Sequence, residues 1–493
     1  MKKKQLDCDF LIIGGGTIGL PVAVWLSEKT NKDVICLEAG DETHDNYNFF
    51  GSPKIIGNNY MGAKLGRRFC LGGTSTVWGG ALSPFLQSDT TLYNWEVTSK
   101  DLEKYIPDVE KIFKLPSSDW NEDLLENQFG EYILRAAIWP SFANRNTYKL
   151  LKNRLIRCQN LRLLKNTPVI SIDAKNSKHI VYVNNVDFEK ISCKKIIVCA
   201  GAIESTRIAL RLSNNYFIGK GFSDHLSAPV GKILSKNLDS LNKEFSFKFS
   251  KNNSMKNFRF EMSNHSNNRE LLPPHNFHVS FISKISENNT FNHLRSIFRH
   301  LQRGEVPQIR DLSGLIKNSK WFIRLAFWRF FHKCLLRPED SIPEIHLVIQ
   351  QEISDANRIE LDHAALDEFG NSVPKIYWKL NSKDKENINN AIYSFYDFWQ
   401  KNLSDKYGSL ELYDKDTIIK NFMECGGIYH PTSSLKFGKD DKSPLDENLY
   451  LKNVRNIQFL STAILPTGGG VNPTMMALLF AARCVDQHIS KNS

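Results

Sequence analysis

A chain that leaves an apolar strand through three glycines, enters a helix and returns to a second strand ending in a carboxylate has few folds open to it. Residues Asp9 to Gly40 read DFLIIGGGTIGLPVAVWLSEKTNKDVICLEAG. Phe10 to Ile13 form the first strand, Ile18 to Leu26 carry a helical pattern, and Val34 to Leu37 form the second strand before Glu38. This is GxGxxG in the strand–helix–strand context that gives it meaning. Gly14 makes the tight turn, Gly16 lets the backbone approach a pyrophosphate, and Gly19 lets the helix pack on the sheet. Glu38 can accept hydrogen bonds from a ribose diol and would repel a 2′-phosphate. The pattern predicts a dinucleotide site and leaves FAD and NAD open. The competing reading is a glycine-rich turn in an unrelated α/β fold.

At 493 residues the chain is long enough for two domains. Its nine cysteines are scattered with no CxxC pair, which argues against zinc ribbons and iron–sulfur clusters and fits reduced thiols in a cytosol. Three lysines before an apolar run mimic a signal peptide, but Asp7 and Asp9 break the run and no cleavage site follows, so the stretch reads as a first strand. No segment has the roughly 18 apolar residues of a membrane span. A cytoplasmic protein is expected. The net charge of +11 admits acidic partners: a nucleotide, a phosphorylated sugar, an anionic lipid or a nucleic acid. A solvated basic surface explains it equally well. No nucleic-acid-binding motif is present.

Three more stretches carry glycine beside polar groups. GRRFCLGGTSTVWGG, Gly66 to Gly80, sets five glycines and three hydroxyl residues around one tryptophan. KIIVCAGAIESTRIALR, Lys195 to Arg211, is a buried strand leading through Ala200-Gly201-Ala202 into a helix expected to begin at Glu204 or Ser205. Near the C-terminus, GGGVNPTMMALLFAARCVD places three glycines and Asn472 before a strongly helical run. Such a run lets the backbone approach something closely, and the helix start offers free N–H groups to an anion.

In this order the pieces resemble the glucose–methanol–choline (GMC) oxidoreductases, a family of FAD enzymes, and fit a bacterial branch of it. LGGTSTVWGG is similar to the family's first signature, VCAGAIEST to its second, and IGKGFSDH to its VGKNLxDH segment. YHPTSSLKFG, Asp446 and FLSTAILPTGGGVNPTMMALLFAAR resemble the closing histidine segment and final NPT helix. The resemblance covers both ends and is patchy from Leu226 to Pro343. It implies an α/β fold with a discontinuous, Rossmann-like FAD domain of the glutathione-reductase type, 1–100, 155–225 and 425–493. A substrate domain, an antiparallel sheet flanked by helices, would take 101–154 and 226–424.

The resemblance also implies roles. His430 would take the hydroxyl proton of an alcohol while hydride moves to the flavin, and Asn472 would hold the same oxygen. The NPT turn would lie beside the flavin ring. Cofactor contacts are implied at Gly14, Gly16, Thr17, Ile18, Gly19, Glu38 and Ala39, and at Arg68, Gly72, Gly73, Thr74, Ser75, Trp78 and Gly79. Val169, Ala200, Gly201, Thr462, Ala463, Pro473 and Thr474 complete the set. No metal is expected. Val77 stands where one sugar-oxidase branch carries a flavin-attached histidine, so noncovalent FAD is expected. The implied substrate is a sugar, aminocyclitol or other polyol; the basic charge and the segment 290–336 keep an anionic or lipid-linked one open. Oxygen and other electron acceptors both remain open.

The chain departs from the family at HPTSSLKF. Ser433 and Ser434 replace the usual glycine and threonine, and Lys436 the usual arginine. This keeps a second reading open, a GMC-like protein with altered catalysis that acts in binding or at a membrane. In the poorly matched middle, Asn276 to Ile285 and Glu344 to Glu352 alternate as strands. Between them, NHLRSIFRHLQRG and WFIRLAFWRFFHKCLL predict basic and aromatic helices. For 290–336 three readings stand: a membrane-surface insertion, a lid over an anionic sugar, or helices packed on the substrate domain.

Overall fold

The computed structural model describes residues 4–42, 50–117, 120, 122–125, 130–174, 178–250, 252–264, 266, 268–283, 290–303, 305–317, 319–338, 340–425 and 427–490. Two seven-stranded sheets dominate it, giving the mixed α/β fold expected from the sequence.

The first sheet begins with Lys4–Ile13, whose last four residues are buried on both faces, as a parallel strand under helices requires. It pairs in parallel with Val34–Leu37 on one side and Phe188–Val198 on the other. Val34–Leu37 pairs onward with Leu161–Leu164. The strand Phe188–Val198 serves two sheet edges: its first half pairs antiparallel with His179–Val183, and its last residues pair in parallel with Ile457–Phe459. The C-terminal helix Thr474–Ser490 packs into the same core, with residues 475–482 all buried.

The second sheet is antiparallel. Its central order is Met255–Met262, His275–Ser283, Ser341–Gln350 and His225–Leu234. Tyr132–Trp139 pairs with Met255–Met262. Helix Ser382–Asn402 covers one face with Ile388, Ala391, Ile392, Phe395, Phe398 and Trp399. Residues 101–154 divide between the two cores. Helices Ile106–Phe113 and Thr147–Arg157 bury Val109, Ile112, Leu151 and Leu155 in the first, while Tyr132–Trp139 joins the second sheet. A small third sheet ties Lys54–Gly57 to Ser372–Trp378.

The middle segment folds as helices Thr290–Arg303, Ile309–Lys317 and Ser319–Phe327, followed by a wider turn at Trp328–His332. No helix among the described residues is long and apolar enough to cross a membrane.

Candidate active site

At the C-terminal end of the first parallel strand the chain turns sharply. Gly14 takes φ +106°, and a side chain there would meet the Cys199 carbonyl oxygen at 2.6 Å. A Cβ on Gly19 would lie 1.8 Å from the Gly14 oxygen. Both glycines are therefore demanded by the protein's own packing. Gly16 is different: a Cβ there would find only the Cα of Gly73, at 3.7 Å. Among the described residues no other atom comes within 4 Å of it. The amides of Gly16, Thr17 and Ile18 have no hydrogen-bond acceptor among the described residues, and they precede the 11-residue helix Gly19–Lys29. Free donors at a helix start, beside an open cradle, fit a pyrophosphate.

The second glycine loop closes this cradle. The Ser75 amide donates to Thr17 Oγ1 at 3.1 Å, and the Gly72 amide to the Gly15 carbonyl at 2.8 Å. Glu38 is 6% exposed; its Oε2 accepts from the Gly15 amide at 2.9 Å and its Oε1 from Gly40 at 3.1 Å. The Thr167 amide donates to the Glu38 carbonyl, which sets Val169 near the same sheet end. Ala200 and Gly201 join them because the Cys199 amide bonds the Ile13 carbonyl. Their helix begins at Gly201, earlier than the expected Glu204 or Ser205. Trp78 donates its indole N–H to the Arg145 carbonyl at 2.9 Å, and Gly79 lies where a side chain would strike the Trp139 ring. Arg68 places its carbonyl near Gly73.

The closing glycine run approaches the antiparallel sheet. Gly469, at φ +69°, leaves no room for a side chain beside the Phe85 ring. Its amide donates to Gln350 Oε1 at 2.8 Å. The Gly470 carbonyl accepts from Asn276 Nδ2 at 2.7 Å. These anchors set Asn472, and Pro473 and Thr474 then start the terminal helix.

His430 and Asn472 meet here. Asn472 Nδ2 donates to His430 Nε2 at 2.8 Å. On the other side of the ring, His430 Nδ1 lies 3.1 Å from Nδ1 of His225. His225 Nε2 lies 2.7 Å from the Gly469 carbonyl. The carbonyl can only accept, so His225 carries its proton on Nε2 and keeps a lone pair on Nδ1. His430 must then donate from Nδ1, which leaves the Nε2 lone pair facing Asn472. Burial, with His225 and Arg259 adding to it, holds the His430 imidazole well below the usual histidine range. Burial also pushes His225 down to about 4. Both rings are neutral at pH 7, and His430 presents a free base.

The loop that carries His430 is pinned by Asp224. Its Oδ1 accepts from the His430 amide at 2.9 Å and from Ile428 at 3.3 Å, and Tyr60 donates to Oδ2 at 2.8 Å. Burial nevertheless pushes the Asp224 carboxyl up to about 7. Thr462 Oγ1 donates to the Pro431 carbonyl at 2.6 Å, and the Ala463 carbonyl accepts from Leu435. The departure at Ser433 leaves this geometry standing. Ser433 takes φ +70°, a conformation that favours glycine, and is wholly buried. Thr432 and Ser223 exchange both backbone hydrogen bonds, and Ser434 Oγ bonds Thr206 Oγ1 at 2.8 Å.

Part of the middle segment reaches the cradle. Gln302 Nε2 donates to the carbonyls of Ser75 at 3.2 Å and Trp78 at 3.0 Å. Phe298 stacks on Phe142 with centroids 4.6 Å apart. Helix Thr290–Arg303 therefore lies over the GGTSTVWGG loop. His225, Gln350 and Asn276 were not assigned roles from sequence. His225 stood in the quoted IGKGFSDH segment, but no spacing rule links it to a residue 205 positions away.

The fold is mixed α/β with two seven-stranded sheets, and a histidine–asparagine pair is part of the site. Residues 354–481, which include that pair, match the family model described as GMC oxidoreductase. Choline oxidase of Arthrobacter globiformis is 31% identical over 61 residues, 12% of this chain and only 11% of that protein. The fold is similar to that of pyridoxine 4-oxidase from Mesorbium loti, with 14% identity, coverage of 98% of this chain and 99% of that one, and a TM-score of 0.61. It is also similar to a fungal aryl-alcohol oxidase, with 13% identity, 98% and 99% coverage, and a TM-score of 0.58. At these identities the likeness concerns the fold.

Proposed function

We propose that the protein is an FAD-dependent oxidoreductase that converts an alcohol to a carbonyl, with His430 as base. The observation that carries this reading is the hydrogen-bond order Gly469 carbonyl, His225, His430, which leaves the His430 Nε2 lone pair beside Asn472. Noncovalent FAD would lie along Gly16 to Ile18, Glu38 and Gly72 to Ser75, with its ring near Asn472 and Thr474. When bound, the flavin supplies the acceptor for the hydride that leaves the alcohol carbon. The chain does the rest. His430 Nε2 takes the hydroxyl proton, and Asn472 Nδ2 turns from His430 to the same oxygen and aims it. Desolvation of the ring keeps the base neutral. Sugars and other polyols are the first substrate class to try, in a cytoplasmic protein.

The test is the visible spectrum of the purified protein under nitrogen with a panel of alcohols. A bound flavin that bleaches with one of them, and does so roughly 10²- to 10⁴-fold more slowly in His430→Ala, is the expected result. Bleaching at an unchanged rate in His430→Ala overturns the base assignment.

A second reading concerns the middle segment. Val306, Ile309, Ile323, Phe330 and Phe331 are exposed by 72% to 87%, and Arg310, Lys320, Arg324 and Arg329 lie among them. A basic, apolar surface on a chain of net charge +11 suits an anionic lipid leaflet. Flotation with phosphatidylserine vesicles should carry the protein upward at low salt, and Phe330→Ser with Phe331→Ser should leave it behind. Equal flotation of both proteins rules this contact out.

A further inference from the structure

The antiparallel sheet turns one face to the base, and that face is polar. Antiparallel pairing places His225 opposite Gln350 and His278 opposite His346. The pairs Glu261 with Asn276 and Phe260 with Phe277 put Arg259 opposite His278 by the same register. Arg259 in turn stands opposite Arg135. Side chains alternate along a strand, so Asn276 and His278 share a face, as do His346 and Gln350. The orientation of the face is fixed: His225, Gln350 and Asn276 all bond to Gly469 or Gly470. His278 and Arg259 therefore lie one step along that face from Asn276, about 7 Å on.

Arg259 is 8% exposed, yet its guanidinium has neither an ion-pair partner nor a hydrogen-bond acceptor among the described residues. Glu261 steadies its charge from beyond bonding distance, and the nearby carboxylates are bonded elsewhere. Glu261 Oε2 accepts from Arg135 at 2.7 Å, Asp89 pairs with Arg269, and Glu344 accepts from Tyr413 at 2.7 Å. Arg135 is fully used, by Glu261 and by the carbonyls of Trp120 and Pro84. The field of Arg259 reaches both His225 and His430. Beside it, His278 Nδ1 is buried without a partner among the described residues and can donate in one tautomer. A buried cation is stable only when paired, and a planar fork of donors suits a carboxylate or phosphate.

We propose that the alcohol oxidised at His430 carries an anionic group, a carboxylate or a phosphate, and that Arg259 is its counter-ion, with His278 beside it. This deepens the reading of His430 as base and rests on it. The anion fixes the far end of the substrate while the hydroxyl lies between His430 and Asn472. A neutral alcohol leaves the guanidinium unpaired and enters at a penalty.

The experiment compares matched alcohols with the flavin-loaded protein under nitrogen: 4-(hydroxymethyl)benzoate against benzyl alcohol, gluconate against glucose, and glucose 6-phosphate against glucose. The anionic member of one pair should reduce the flavin with a KM at least about 10-fold lower than its neutral partner, the cost of one unpaired buried group. Arg259→Gln should remove that difference, and Arg259→Lys should restore part of it. The carboxylate and phosphate pairs tell the two anions apart. Equal KM values within every pair, or an anion preference that survives in Arg259→Gln, overturn the proposal. So does an equal loss for neutral and anionic members, which would make Arg259 a support of cofactor or fold. Binding of unreactive benzoate and of inorganic phosphate, read by the flavin spectrum and by thermal shift, needs no turnover. Neither anion binding more tightly to the wild type than to Arg259→Gln also overturns it. Loss of the preference in Arg259→Gln together with full activity in His430→Ala would sink the base and leave the anion site standing.

Discussion

His225 and His430 face each other through their Nδ1 atoms at 3.1 Å, so the proton of one ring is decided by the other. His225 is a positioning residue: it fixes which nitrogen of His430 is basic and does not touch the reacting atoms. Replacing it by glutamine should slow flavin reduction roughly 5- to 150-fold, the range for one orphaned buried partner of about 1–3 kcal/mol. The His225 ring also disfavours a charged His430. The acid limb of the rate profile should therefore move to higher pH in His225→Gln. A variant that loses rate with its pH profile unmoved would show a packing role only.

With His430 held well below the usual histidine value, the rate of flavin reduction should be flat from about pH 6.5 upward. Stopped-flow measurement across pH 5 to 9 checks this. An inflection at the ordinary histidine value of about 6.5 contradicts it.

Stability should also respond to pH. His225 stays neutral in the fold down to about 4, whereas an unfolded histidine takes a proton near 6.5. Between those values the unfolded chain binds the extra proton, so this residue's contribution falls as pH drops through the window. Asp224, raised to about 7, acts oppositely: its contribution is present below about 4 and is lost as pH rises through 7. The two can be separated by denaturation. The unfolding free energy of wild type relative to His225→Gln should fall by about 3 kcal/mol from pH 7 to 4.

Ser433 holds φ +70° where glycine would be unstrained. Ser433→Gly should raise stability by about 1 kcal/mol, less what glycine adds to the unfolded chain's freedom, and keep activity. A large loss of activity would assign the Ser433 hydroxyl a role beyond the loop.

Gly16 and Gly19 should respond differently to alanine. Gly19→Ala drives a methyl onto the Gly14 oxygen and should destabilise the whole domain. Gly16→Ala meets only ordinary contact with the protein and should fold while losing FAD. Thermal melting and the 450 nm region of the spectrum, measured together, separate the two.

Strand, turn, helix and acid at residues 9–40 were readable because each obeys a local rule of period and spacing, and Glu38 lies where that spacing put it. His430 and Asn472 were readable by resemblance, and the fold brings them to 2.8 Å. The parts that escaped are those made by long-range register. His225, Gln350 and Asn276 come from three strands of one sheet, and only pairing brings them to the same glycines. Arg259 looked like any basic residue in the poorly matched middle. Its lack of a hydrogen-bond acceptor among the described residues is a property of packing and has no trace in the sequence. The division of 101–154 between two cores was hidden for the same reason: amphipathic helices such as Ile106–Phe113 name a buried face but not the surface that buries it.

The relay behind His430 ends on the Gly469 carbonyl, an oxygen that accepts a hydrogen bond but releases no proton. It is a blind alley. A proton collected at Nε2 has no way out through His225 and the protein behind it. It must leave by the side on which it arrived, through the space the substrate occupied. In the proposed reaction, departure of the carbonyl product and resetting of the base are then one event, and a product that lingers keeps the enzyme protonated as well as occupied.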